Sequence, residues 1–226
     1  MLTLRKTQKA LVPIQNIDLT KEFVGMAVKM TPGGVAHHAG IVISYSGSLY
    51  LCHYTGSIVV MEPFEPLSWY IVKSTLLVSA EEVLPFFSHC RLAVMGSKPE
   101  YGYFYSGSYY LNGSYFTMNG SPELMTCVGF CLNVFNGFFE AIGFVQYSDW
   151  DASTLPAGYL DEFKRIIPTR FPNLTFEELS KDLRRITPTE YLCTGFLETL
   201  SIRKEDTDSI LSLVTGVISQ YPNPAL

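Results

Sequence analysis

Cys127, with His37, His38 and His53 far upstream of it, supplies the residue types that thiol catalysis needs. The attacking species in such chemistry is a thiolate, and an early helix position beside an imidazolium lowers a thiol's pKa. Cys127 follows Ser121-Pro122-Glu123, a capping residue, a proline and an acid. That order predicts a helix opening there, running through Phe135 and ending at Gly137. Backbone N–H groups in its first turns would face the sulfur and could hold an oxyanion, with Thr126 beside them.

The histidines need a strand to aim them. Val35-Ala-His-His-Ala-Gly-Ile-Val-Ile43 is rich in β-branched and small apolar residues and follows a Pro32-Gly33-Gly34 breaker. Alternation puts His38, Gly40, Val42 and Ser44 on one face, and His37, Ala39, Ile41 and Ile43 on the other. A two- or four-residue turn at Ser46-Gly47 sets His38 across from Thr55 and diagonal to His53. A three-residue turn brings His37 and His53 together instead, and spacing alone leaves both open.

Plainer readings compete. A free cysteine on an apolar helix is often a small core residue, and Cys131, on the same helical face as Cys127, reads that way. Cys127 and Cys131 with His38 and His53 could form a metal set, although the ordinary ligand spacing is missing. Cys193 opens a similar run, but its helix should begin near Thr187, past which it lies by more than a turn. His89 reads as a solvated or capping histidine and His37 as a packed strand residue facing away from the site. The tyrosines between Tyr101 and Tyr115 fit a loop packed on the core. They also precede the cysteine directly, so Tyr105, Tyr109 and Tyr115 are the candidates for a substrate-binding wall.

Around these residues the chain is that of a folded protein. Its 226 residues are 47% hydrophobic and 16% charged, enough for one sizeable core. A net charge of −5 with no basic stretch argues against a nucleic-acid partner. Five cysteines without regular spacing fit free thiols in a reducing compartment. The apolar run after Arg5, Lys6 and Lys9 is broken at Pro13, and Asn133, Asn136 and Glu140 interrupt the stretch Val128–Val145. The expectation is therefore a cytoplasmic protein with neither signal peptide nor membrane span.

The element pattern runs from strands to helices. Residues 1–20 suit an arm, strand or helix, and Phe23–Met30 a strand. Val35–Tyr45, Leu49–Tyr54 and Ile58–Glu62 form an antiparallel meander that Pro63 and Pro66 close. Leu67–Leu77 is ambiguous, and Ser79-Ala80-Glu81-Glu82 opens a helix to about Val94. Tyr101–Tyr115 suits a loop or irregular hairpin. Thr175-Phe-Glu-Glu178 and Thr187-Pro-Thr-Glu190 have capping-box form, and a last helix covers about Asp208–Ser219. The fold class is α+β, with a boundary near residue 150 between the strand-rich part, 1–150, and a helical extension, 151–226, packed on it.

His38-Ala39-Gly40-Ile41-Val42, with His53 ending Leu49-Tyr50-Leu51-Cys52-His53, resembles the His-x-Gly-Ile strand and following-strand histidine of the circularly permuted NlpC-type papain-like superfamily. Its lecithin:retinol acyltransferase-like branch carries the second histidine. Thr126-Cys127-Val128-Gly129-Phe130, an apolar helix and Gly143-Phe144 are similar to the superfamily's nucleophile segment, in the permuted order of histidine strand before cysteine helix. The resemblance covers about residues 22–150. It implies an antiparallel sheet packed on the cysteine-bearing helix, with Cys127 as nucleophile, His38 as base and His53 orienting it. It implies a thiol hydrolase or acyltransferase acting on a peptide, amide or acyl-lipid bond, with no metal or organic cofactor. A peripheral membrane contact would accompany an acyl-lipid substrate. The alternative is a catalytically silent binding protein that keeps the fold.

Overall fold

The computed structural model describes residues 2–64, 69–117, 122–139 and 143–221. Its strands are β1 (Val12–Pro13), β2 (Phe23–Met30), β3 (Ala36–Tyr45), β4 (Ser48–Tyr54), β5 (Val59–Pro63), β6 (Tyr70–Ser74), β7 (Glu100–Tyr101), β8 (Tyr109–Leu111), β9 (Ser114–Phe116) and β10 (Leu124–Met125). Its helices are α1 (Leu4–Ala10), α2 (Val83–Gly96), α3 (Cys127–Phe138), α4 (Tyr159–Arg170), α5 (Phe176–Ser180), α6 (Pro188–Thr194) and α7 (Lys204–Ile218). The class is α+β. Six strands form one antiparallel sheet in the order β1-β6-β2-β3-β4-β5.

The meander is as expected. Tyr45 pairs with Ser48 across a two-residue turn, Ser46-Gly47, whose φ values of 51° and 75° are those of a hairpin that matches strand twist. The ambiguous stretch contains β6, which pairs with β2 and β1. Tyr70, Ile71, Val72 and Lys73 are all buried, so β6 lacks the polar alternation that marks a strand with one wet face. Leu67, with Pro66, lies outside the described residues.

The two faces of the sheet are covered differently. Val24, Met26, Ile41, Ile43, Cys52 and Ile71 join the main core with residues of α2, α3, α6 and α7. Ala27, Val42, Leu49, Leu51, Tyr70 and Val72 form a smaller core on the other face, covered by Ile14, Ile17, Phe23 and Phe64. Helices α4 and α5 share a separate cluster with Phe104 and Leu124. Helix α6 sits against β2 and β3, and the Tyr191 hydroxyl donates to the Gly40 carbonyl at 3.2 Å. Thr187 caps α6 through a capping box with Glu190, with Pro188 as the first helical residue.

Three expected helix ends move. Helix α3 begins at Cys127 rather than near Pro122, because Leu124 and Met125 pair with β7 and the Glu123 carboxylate is held by Ser97 and the Lys98 N–H. Ser121 lies outside the described residues. Gly137 does not end α3. A Cβ there would sit 1.8 Å from the Tyr110 carbonyl oxygen, so this glycine serves the close passage of β8. Helix α7 starts at Lys204, four residues before Asp208, with Asp206 accepting from the Arg203 N–H. Among the described residues no helix is long and apolar enough to cross a membrane.

Candidate active site

Cys127 is the first residue of α3, capped by Thr126, whose hydroxyl accepts the Gly129 N–H at 3.1 Å. The Tyr105 hydroxyl lies 2.8 Å from the same Thr126 oxygen, so a residue expected in the binding wall and the one expected beside the oxyanion fix the turn that carries the thiol. Three backbone N–H groups bear on the sulfur: its own, that of Val128, and that of Ala39 across on β3. Cys52, Cys90, Cys131 and Cys193 are buried, whereas Cys127 is half-buried.

The Ala39 contact has a cause in the sheet. Residues flanking a two-residue hairpin turn form a hydrogen-bonded pair, and the pattern repeats every second residue. From Tyr45 it runs through Ile43 and Ile41 to Ala39, yet the β3–β4 pairing stops at Ile41 and Cys52. The Ala39 N–H thus points to the side where β4 has departed, and from there it pulls the Cys127 thiol pKa down.

His38 precedes Ala39 on β3, and its Nε2 lies 2.7 Å from His53 Nδ1. Both imidazoles project from the smaller-core face: a Cβ on Gly40 would meet Leu51 at 2.7 Å and the His53 Cβ at 3.2 Å. The imidazoles therefore project from the face of the sheet opposite the one that α3 and its thiol cover. With Nε2 engaged, Nδ1 is the nitrogen of His38 left to move a proton.

His37 takes no part in this bridge. Lys29 pairs with His38 and Met30 with Ala36, so His37 is the extra residue of a β-bulge and is exposed rather than packed. His89 is half-buried, and its Nε2 lies 3.0 Å from the Val134 carbonyl in the body of α3. Tyr109 stacks on Phe116 with ring centroids 5.4 Å apart, and the Tyr115 hydroxyl donates to Ser108 at 2.8 Å. Those contacts brace the β8–β9 hairpin. Among the described residues no group of three or more His, Cys, Asp or Glu is placed to hold a metal ion.

Burial sets the protonation states. It pushes the Cys127 thiol up, against the pull of the three N–H groups. It lowers His38 to about 4, with the charges of His53, His37 and Lys29 acting in the same direction. His53 is lowered by burial too, and Glu62 opposes that shift. At rest the thiol and both imidazoles are then neutral, where the sequence had suggested a thiolate paired with an imidazolium.

Three neighbours were missed in the sequence. Glu62 Oε1 lies 3.5 Å from His53 Nε2, the Tyr70 ring is edge-on to His38 at 6.5 Å, and Lys29 pairs beside both. They line, with His53, Leu51 and Phe64, a cleft of about 480 Å³. The register that places His53 opposite Val60 sets Glu62 on its face, so the Thr55-Gly56-Ser57 turn held that signal. No protein-family model, curated protein or solved structure matches the chain.

Proposed function

We propose that the protein is a cysteine-dependent hydrolase or acyltransferase with a permuted papain-like arrangement. Cys127 is the nucleophile, His38 the base and His53 the residue that orients it. One arrangement carries this reading: Cys127 opens α3 with its thiol acted on by the Ala39 N–H, one residue along β3 from His38, which lies 2.7 Å from His53. In attack, the thiol proton passes to His38 Nδ1 while sulfur bonds to the carbonyl carbon. N–H groups at the helix start stabilise the charge that develops on the carbonyl oxygen. The C–N or C–O bond then breaks, the leaving group takes the proton from His38, and water or another acceptor resolves the acyl-enzyme. Peptide, amide and acyl-lipid substrates all offer that carbonyl. The five free cysteines support a reducing, cytoplasmic location.

The raised thiol pKa also fits a silent binding protein that keeps the same architecture. An electrophilic thiol probe, with the modified residue mapped by mass spectrometry, separates the two. The enzyme reading expects labelling at Cys127, and its loss in Cys127→Ala and His38→Ala. Once a substrate is in hand, the double variant should be no slower than either single one, because members of one catalytic unit are non-additive. Turnover that survives Cys127→Ala but is lost in Cys193→Ala would sink the assignment.

A further inference from the structure

We infer that Glu62 is a positioning residue that sets the tautomers of both imidazoles, so that His38 Nδ1 is the bare, proton-accepting nitrogen. Its use in catalysis rests on the proposed Cys127–His38 chemistry; the tautomer order itself does not.

Glu62 lies two residues along β5 from Val60, the partner of His53, and so shares the His53 face of the sheet. Its carboxylate is 3.5 Å from His53 Nε2, which is buried and has no hydrogen-bond partner among the described residues. That separation exceeds a tight hydrogen bond, so the carboxylate acts through its field. A carboxylate only accepts, and its charge favours a hydrogen on the nitrogen that faces it.

A neutral imidazole carries one such hydrogen. With it on Nε2, His53 Nδ1 is bare and accepts at 2.7 Å. The donor must then be His38 Nε2–H, which leaves His38 Nδ1 with its lone pair. The reverse order sends the hydrogen from His53 Nδ1 to His38 Nε2. It turns the bare His53 Nε2 toward the carboxylate and puts the His38 hydrogen on Nδ1, where no base remains.

Other groups facing the pair do not choose between these orders. Lys29 from β2 and His37 from the bulge act on His38 as positive charges, and Lys29 acts likewise on His53. They favour neutral rings, whichever nitrogen holds the hydrogen. Tyr70 meets His38 edge-on from β6, and Cys127 approaches from α3 at Ala39. Glu62 alone of these faces His53 Nε2 with a negative charge.

The test needs no substrate. The full chain, labelled with ¹⁵N-histidine, is observed at pH 7 by long-range ¹⁵N–¹H correlation, with His37→Gln, His38→Gln, His53→Gln and His89→Gln used for assignment. We expect Nε2–H tautomers at His38 and His53 in the native protein. Glu62→Ala and the neutral Glu62→Gln should each give a mixed or reversed pair, because both remove the charge that faces His53 Nε2. Glu62 is more than half exposed, so neither variant should disturb folding, and a thermal melt checks this. A hydrogen on His38 Nδ1 in the native protein, or tautomers unchanged in Glu62→Ala, would overturn the inference. With a substrate, Glu62→Ala should also lower kcat roughly tenfold or more at unchanged KM, as loss of the working tautomer does in related triads. If the tautomers follow Glu62 while Cys127 reactivity does not, the tautomer order stands and the enzyme reading fails.

Discussion

A thiol that keeps its proton at rest must be ionised by its base during attack, and this shapes how Cys127 should respond to pH. Simple alkylation samples the free thiolate, so its rate at Cys127 should still be climbing above the ordinary thiol value of 9.0. Cys127 should react well before the four buried cysteines; peptide mapping after a timed iodoacetamide pulse checks both points. Equal labelling of all five would remove the distinction. Stability offers a second readout. His38 drops from 6.5 unfolded to about 4 folded, so the unfolded chain binds more protons between those values. The contribution is fully present above 6.5 and is lost as pH falls toward 4. The melting temperature should therefore decline over that window, and less steeply in His38→Gln, where His53, His37 and the carboxylates still titrate. Residue types brought Cys127 and the strand histidines forward, but strand spacing left His37 and His38 both open, and only the family resemblance chose between them. Their protonation states were not legible, since desolvation depends on how α3 and β6 close over them.

At the scale of elements, the site depends on two strands that pair and then part. The Gly47 hairpin fixes the register, and Gly40 lets β4 cross close enough for the two imidazoles to meet. Gly40→Ala would press a methyl group on Leu51 and on the His53 Cβ, costing about 1–3 kcal/mol as overpacking does. Chemical denaturation measures the cost. Because His53 must shift, the imidazole ¹⁵N shifts should change as well, which a purely remote packing defect would not produce. The meander was legible because its turn residues fall between runs of β-branched and other apolar residues, where hairpins need them. The start of α3 was misplaced because Pro122 and Glu123 mimic a helix opening. Glu123 instead serves long-range partners, Ser97, Lys98 and Tyr110, which no local pattern reveals. His37 was assigned to a packed face for a similar reason: a bulge is set by the neighbouring strand β2.

At the scale of the whole molecule, the C-terminal third is bound to the sheet by burial. Ile186, Tyr191, Leu192, Cys193, Val214 and Ile218 share the main core with Met26, Ile41 and Ile43. A chain cut after Trp150 should therefore lack a cooperative melt and bind a hydrophobic dye, whereas the full chain melts in one transition. A stable, cooperative 1–150 fragment would show that the strands need no help from α6. The capping boxes at Thr175 and Thr187 made those helices readable. Their seat was not, because the apolar face of a helix does not name the surface it will cover.

The bond from Tyr191 to Gly40 spans 151 residues of sequence, and this separation matters while the chain is still being made. Strands β2 to β6 leave the ribosome well before α6 exists to cover them. Their apolar face then waits, open to chaperones and to other nascent chains, until translation passes Ile218. Folding of the thiol site should thus wait until α6 and α7 have left the ribosome. A ribosome-arrested chain ending before Pro188 should remain sensitive to protease, and one carrying a spacer beyond α7 should not.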